Sequence, residues 1–357
     1  TVEAITRQSA NGITAMMPTE DAAWVGEELA RRFGPPQWSF TLTATDANRW
    51  AIRLARQVTK RSKILVFAWC YHGSVDESFA LPGPDGATAR PGNVGPPVPL
   101  AKTTRVVEFN EVDQLREALA NEDVAAVLME PALTNIGIVM PEPGYLEAVR
   151  QLTREYGTLL INDETHTLSA GPGGATQAWG LEPDIVTIGK AIAGGLPSGA
   201  FGISDELARR ITAERDADLV DTGGVGGTLA GNALSLAATR ATLEHVLTDD
   251  AFTTMIALAE RFEDGVTQAI DAHNLPWSVA RIGARVEYRF ASPPPRTGSE
   301  SAAADDRELE DFLHVFLANR GVLITPFHMM ALMSPATTEE DVDKHTEAFG
   351  DALDRLS

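Results

Sequence analysis

The chain has one cysteine, Cys70, in 357 residues. A lone thiol excludes an internal disulfide and any paired-cysteine metal framework, and it fits a reducing compartment. Basic residues are scarce too: 29 Lys and Arg face 50 Asp and Glu, a formal net charge of −21. Nucleic acid and anionic membrane both require clustered cations, so neither is expected as a partner. No apolar run reaches membrane-spanning length, and no charged-then-apolar export signal opens the chain. The 7 histidines are scattered, without metal-ligand spacing to paired cysteines or acids, so no metal is expected. Internal repeats and low-complexity tracts are also lacking. What remains is an ordinary globular composition, 44% hydrophobic and 22% charged, long enough for a large domain and a smaller one. A cytoplasmic enzyme is the expectation.

The stretch 158–202 carries the densest pattern. Thr158-Leu159-Leu160-Ile161-Asn162 is short, apolar and rich in strand formers, and it ends on Asp163-Glu164. Ile185-Val186-Thr187-Ile188 follows a Pro183-Asp184 turn and ends on Gly189-Lys190. Short apolar runs bounded by Gly and Pro suit strands covered on both faces of a parallel sheet. Ligands in such sheets sit beyond the carboxyl ends of the strands, where Asp163 and Lys190 fall. A lysine amine forms a Schiff base with an aldehyde, and pyridoxal phosphate is the aldehyde cofactor that uses one. A fixed carboxylate keeps the ring nitrogen of that cofactor protonated. Spacing alone leaves a plainer reading open, with Lys190 an exposed lysine in a glycine-rich loop and Asp163 a helix cap.

Motif order separates the two readings. The run EPALTNIGIVMPEPGYLEAVRQLTREYGTLLINDE, followed by PDIVTIGKAIAGGLPSGAFG, resembles the class III aminotransferases, nearest their glutamate-1-semialdehyde aminomutase-like branch. The resemblance spans essentially the whole chain. It implies an α/β fold of type I, with a large domain over 1–246 built on a mostly parallel sheet and a smaller α+β domain over 247–357. It also implies pyridoxal 5'-phosphate and a homodimer whose active sites are shared at the subunit interface. Family members carry an N-terminal segment that helps form the substrate pocket, whereas Thr1 to Ile5 here reads as the middle of a helix without a cap.

The resemblance assigns roles residue by residue. Lys190 is the Schiff-base lysine and Asp163 the partner of the ring nitrogen. Thr43-Ala44-Thr45 stands where the family has a phosphate-binding Ser-Gly-Thr, between a predicted strand at 38–42 and a helix at 46–59. A helix start binds anions well, although a plain Thr N-cap fits the same residues. Ala44 in place of glycine crowds the approach. Tyr71, at the end of a predicted strand over 63–68, stacks on the cofactor ring. Glu130 lies near the ring, and Asn135 near its phenolic oxygen or the substrate. Thr165 replaces a valine that packs under the ring. Thr228 closes the glycine-rich loop that starts at Asp221, and it reaches the phosphate bound by the partner subunit. His72 and His328 are candidates for substrate contact, while His166 reads as structural. Met329-Met330 occupies the place of a glutamate found in the aminomutases proper, which implies a more apolar pocket.

Hydrophobic periodicity supplies the remaining elements. Helices are expected over 19–32, 112–120, 143–156, 232–246, 250–272, 305–320 and 338–356, and strands over 105–109, 124–129, 285–290 and 322–324. Residues 81–99 read as a surface excursion and 292–304 as a mobile loop. The first functional reading is an aminotransferase acting on small amino and keto substrates by a ping-pong mechanism. An aminomutase or related racemase is the alternative within the same chemistry, and a non-catalytic binding protein the alternative from another class.

Overall fold

Seven strands build the central sheet, and their order decides which loops meet. The computed structural model describes residues 1–14, 17–95, 98–213 and 225–356. Asp221, Thr222, Gly223 and Gly224 of the glycine-rich loop lie outside the described residues. The sheet strands are β1 (Gln37–Thr41), β2 (Lys63–Phe67), β5 (Thr104–Val107), β6 (Val124–Met129), β7 (Leu159–Asp163), β8 (Ile185–Ile188) and β9 (Gly199–Ile203). The hairpin strands β3 (Ala80–Gly83) and β4 (Gly86–Ala89) form a separate ribbon inside the expected surface excursion. The sheet order is β1-β9-β8-β7-β6-β2-β5. Strands β5, β2, β6, β7 and β8 pair in parallel, while β9 runs antiparallel to both β8 and β1.

The continuous apolar runs of β6, β7 and β8 are buried at every position, because helices cover both faces of a parallel sheet. The helix Ala44–Thr59 buries Ala47, Ala51, Ile52, Leu54 and Ala55 against the sheet. Strand β9 escaped the sequence reading because two of its residues are glycine. The structure needs them: a Cβ on Gly199 would lie 2.4 Å from Thr43 O, and one on Gly202 2.5 Å from the Trp38 ring. Among the described residues no helix is long and apolar enough to cross a membrane.

A second sheet, antiparallel, consists of β10 (Ser278–Ile282), β11 (Arg285–Arg289) and β12 (Met330–Leu332). The helices Asp249–Ala272, Arg307–Ala318 and Glu339–Leu356 pack on it through Phe262, Val266, Leu313, Phe349 and Leu353. Val25, Leu29 and Phe33 of the helix Glu20–Phe33 join the same apolar cluster.

Two expectations fail in this region. Residues 322–324 form no strand, because Thr325 N donates to Met330 O at 3.3 Å and the turn hands the pairing with β11 to β12. Residues 292–304 are no loose loop, since Thr297 caps a short helix, Gly298–Ala303, and Asn110 Nδ2 donates to Arg296 O at 2.8 Å. A Cβ on Gly298 would lie 2.1 Å from Ala68 O, so this segment is pressed onto the end of β2.

Candidate active site

The parallel strands β2, β6, β7 and β8 all end on the same side of the sheet, and each is followed by a polar residue. His72 and Tyr71 follow β2, Glu130 follows β6, Asp163 closes β7, and Lys190 comes just after β8. These ends open into one pocket of about 380 Å³, which Thr43, Ala44, Thr45, Thr165 and His166 also line.

Asp163 is 3% exposed. Its Oδ2 accepts from Asn48 Nδ2 at 2.7 Å and lies 2.9 Å from His72 Nδ1, while its Oδ1 accepts from Thr165 N at 3.0 Å. Asn48 is itself oriented by Thr187, whose hydroxyl donates to Asn48 Oδ1 at 2.6 Å. Burial pushes the Asp163 carboxyl up, but hydrogen bonding and charge from His72, with Thr165 and Asn48, outweigh it and bring the pKa to about 2. The imidazole of His72 moves the other way. Burial opposes its charged form, yet Cys70 and Asp163 hold it well above its ordinary value. Asp163 is therefore a carboxylate at any working pH.

Lys190 has a left-handed backbone, φ 50°, a conformation that costs a side-chain-bearing residue energy and that clusters at functional sites. Burial lowers its pKa and Arg285 adds to that, against the raising influence of Glu130 and Asp163. Its Nζ meets His166 Nε2. His166 was expected to be structural; instead it stands in the pocket wall against the lysine.

The Thr43-Ala44-Thr45 turn is a Thr N-cap that also borders the pocket. Thr43 caps the helix, its Oγ1 accepting from Asp46 N at 3.1 Å, while the turn still faces the pocket. The opening N–H groups of a helix lack intrahelical partners, and with the helix dipole they favour an anion. Three glycines let neighbouring backbone close around this turn. A Cβ on Gly73 would lie 2.0 Å from Thr45 Oγ1, one on Gly189 2.9 Å from Ala44 N, and one on Gly199 2.4 Å from Thr43 O. Thr165 Oγ1, also on the pocket wall, is buried without a partner. An anion cradle, a fixed carboxylate and a partly desolvated lysine in one pocket are the groups that pyridoxal phosphate requires, so the residues present fit it.

The model of the family "Aminotransferase class-III" matches residues 1–353. The chain belongs to the class III aminotransferases. It is accordingly a pyridoxal-phosphate-dependent enzyme of fold type I. Among relatives, glutamate-1-semialdehyde 2,1-aminomutase 1 of Staphylococcus carnosus is 36% identical over 320 residues, covering 88% of this chain and 73% of that protein. A glutamate-1-semialdehyde-aminomutase from Pseudomonas aeruginosa PAO1, solved in complex with PMP, superposes with a TM-score of 0.96 at 50% identity, over 100% of this chain and 80% of its own. An omega-transaminase from Sphaerobacter thermophilus gives a TM-score of 0.89 at 29% identity, over 99% and 82%.

In this class III enzyme the other expected site residues fall in different places. Tyr71 lines the pocket, with its ring 6.2 Å from that of Phe79. Glu130 lies in the pocket wall, buried, and accepts from Thr134. Asn135 does not line the pocket; its Nδ2 donates to Trp69 O at 3.1 Å and so holds the loop after β2. His72 is among the residues around the pocket, but its side chain is enclosed and its Nδ1 faces the Asp163 carboxylate. His328 does not line this pocket; its Nδ1 sits 3.0 Å from Glu287 Oε1. Thr228 is exposed and does not line the pocket of its own chain. Met329 and Met330 are buried, so the apolar wall comes instead from Leu42, Leu196 and Pro197. Sequence reasoning missed Asn48 and Thr134. Asn48 interrupts the apolar face of its helix, a signal that was available, whereas nothing local marks Thr134.

Proposed function

We propose that the enzyme moves an amino group from a small amino acid or amine to a keto acid, in two half-reactions at the Lys190 pocket. One observation carries this reading: a partly desolvated Lys190 and a permanently ionised Asp163 open into a single pocket, at the ends of adjacent parallel strands. When bound there, pyridoxal phosphate supplies an electron sink for the substrate carbon that gives up its proton.

The chain's own residues do the rest. Lys190 Nζ takes the proton from one carbon and returns it to another, as base and then acid. Asp163, fixed by His72, Asn48 and the Thr165 amide, presents negative charge that keeps a ring nitrogen protonated. The turn Thr43-Ala44-Thr45 holds a phosphate, Tyr71 covers one face of a ring, and Thr165 offers its unpartnered hydroxyl from the wall. Leu42, Leu196 and Pro197 supply the apolar part of the pocket wall. In this reading Thr228, exposed in one chain, serves a second copy, in a homodimer with shared sites.

A second reading is rearrangement within one molecule, because the P. aeruginosa and S. carnosus relatives bear the aminomutase name. Against it, the glutamate of the aminomutases proper is replaced by Met329-Met330, both buried here. An aminomutase needs no external keto acid. The test is the visible spectrum with pyridoxal phosphate, before and after a panel of amino donors, followed by turnover with and without a keto acid. Bleaching by particular donors and strict dependence on the keto acid support transfer. Turnover of a single substrate without keto acid overturns it in favour of the aminomutase.

A further inference from the structure

His166 lies just past β7 and touches Lys190 with one nitrogen while the other faces an acid. Its Nδ1 is 2.7 Å from Thr134 Oγ1 and 3.4 Å from Glu130 Oε2. Thr134 donates its hydroxyl proton to Glu130 Oε2. A hydroxyl has one proton to give, so Thr134 Oγ1 can only accept from the ring, and His166 Nδ1 must carry a hydrogen. When the ring is neutral its Nε2 then keeps a lone pair, and Nε2 is the atom that meets Lys190 Nζ. Glu130 is 2% exposed. Burial works to raise its pKa, but His166, His72 and Thr134 together lower it, so it remains a carboxylate.

We propose that His166 is the acid–base partner of Lys190, taking a proton from Nζ so that the lysine is a free amine when it must attack or abstract, and returning it when the lysine must protonate. In the forward step an Nζ–H bond breaks and an Nε2–H bond forms, and nothing else is consumed. The imidazolium that results has Glu130 and the Thr134 hydroxyl on its far side, where the carboxylate stabilises the new charge. Arg285, whose Nη2 donates to Thr134 O at 2.9 Å, lowers the pKa of Lys190 and so favours the uncharged amine. Asp163 and Glu130 favour the ammonium, so the lysine sits between opposing fields and a nearby base decides its state. Thr134 and Glu130 act through His166 and are positioning residues.

The inference rests on Lys190 being the lysine that bonds the cofactor, and not on which amino donor is used. Its first test needs no turnover. In the full chain freed of cofactor and labelled with ¹⁵N-histidine, the His166 ring, assigned by its loss in His166→Gln, should show hydrogen on Nδ1. Hydrogen on Nε2 in the wild type would overturn the proposal even if every variant misfolded. The second test follows trinitrophenylation of Lys190 by peptide mass spectrometry across pH. His166→Gln should slow it about tenfold near neutral pH and converge with the wild type once the lysine deprotonates unaided. Thr134→Val should lie between them. An equal loss at every pH would mean a structural role only, and an unchanged profile would exclude any role. A shifted profile without keto-acid-dependent turnover would leave the proton partner standing and remove the proposed function.

Discussion

Gly73→Ala probes the phosphate turn from its far side. Gly73 has φ 79°, a left-handed conformation that costs an alanine about 1–2 kcal/mol. The new Cβ would also lie 2.0 Å from Thr45 Oγ1, 2.8 Å from Thr45 Cβ and 3.0 Å from Thr45 Cα. Rotating the Thr45 hydroxyl relieves only the first of these contacts. The other two require the helix start to move, and Gly189 and Gly199 already press on Ala44 and Thr43 from other directions. Overpacking of this kind costs about 1–3 kcal/mol, so the variant should lose about 2–5 kcal/mol of unfolding free energy. Displacement of Thr45 should also raise the dissociation constant for pyridoxal phosphate by about 10–100-fold, equivalent to about 1.4–2.8 kcal/mol. The assay is equilibrium unfolding of the cofactor-free chain, paired with titration of pyridoxal phosphate followed by absorbance. A double-mutant cycle with Thr45→Gly separates the contributions. Without Thr45 Oγ1 and Cβ, the stability cost of Gly73→Ala should shrink toward its backbone part, leaving only the 3.0 Å approach to the Cα of that position. Wild-type cofactor affinity and wild-type stability in Gly73→Ala would refute the close packing of β2's loop on the turn.

Further expectations concern charge and pH. Lys190→Ala should abolish turnover and remove the visible band that forms with pyridoxal phosphate; unchanged turnover would sink the assignment of the site. Asp163→Asn should lower turnover on the order of a hundredfold or more and drop the pKa of His72, measurable by histidine NMR. His345 is buried, with both ring nitrogens unpartnered, between Phe262 and Phe349, and burial depresses its pKa to about 4. The unfolded chain therefore takes this proton first, and the contribution of neutral His345 is lost as pH falls through its ordinary value toward 4. His345→Leu should flatten that acid limb in urea melts; an identical limb would place the sensitivity elsewhere. Burial, followed by Asp305, raises Glu310 to about 7 against the opposing Arg289. Stability should fall as pH rises from the ordinary carboxyl range through 7, since the native state holds this proton longer. Glu310→Gln should raise the melting temperature on the alkaline side only.

The ends of β7 and β8 could be read directly, because an apolar run stopped by Asp163-Glu164 or Gly189-Lys190 records burial and its interruption in adjacent letters. Helix limits were legible for the same reason. The helix expected over 19–32 is Glu20–Phe33, with acids in its first turn and arginines in its last. Local pattern does not reveal which distant side chains converge. Asn48 reaches Asp163 across 115 positions, and Thr134 meets His166 across 32. Neither meeting leaves a periodic trace, since each depends on how strands are ordered in the sheet. The direction of β9 was hidden likewise, as its glycines look like a loop until Trp38 and Thr43 are packed against them.

By itself, then, the sequence determined the strand cores, the helix faces, the lysine and aspartate at adjacent strand ends, and through its motifs the family and cofactor. Tertiary structure alone decided that His166 stands against Lys190, that His72 supports Asp163, and that Met329 and Met330 are buried off the pocket wall. The physical reason is that burial is encoded residue by residue, whereas hydrogen bonds between remote side chains exist only once the sheet has brought the strand ends together.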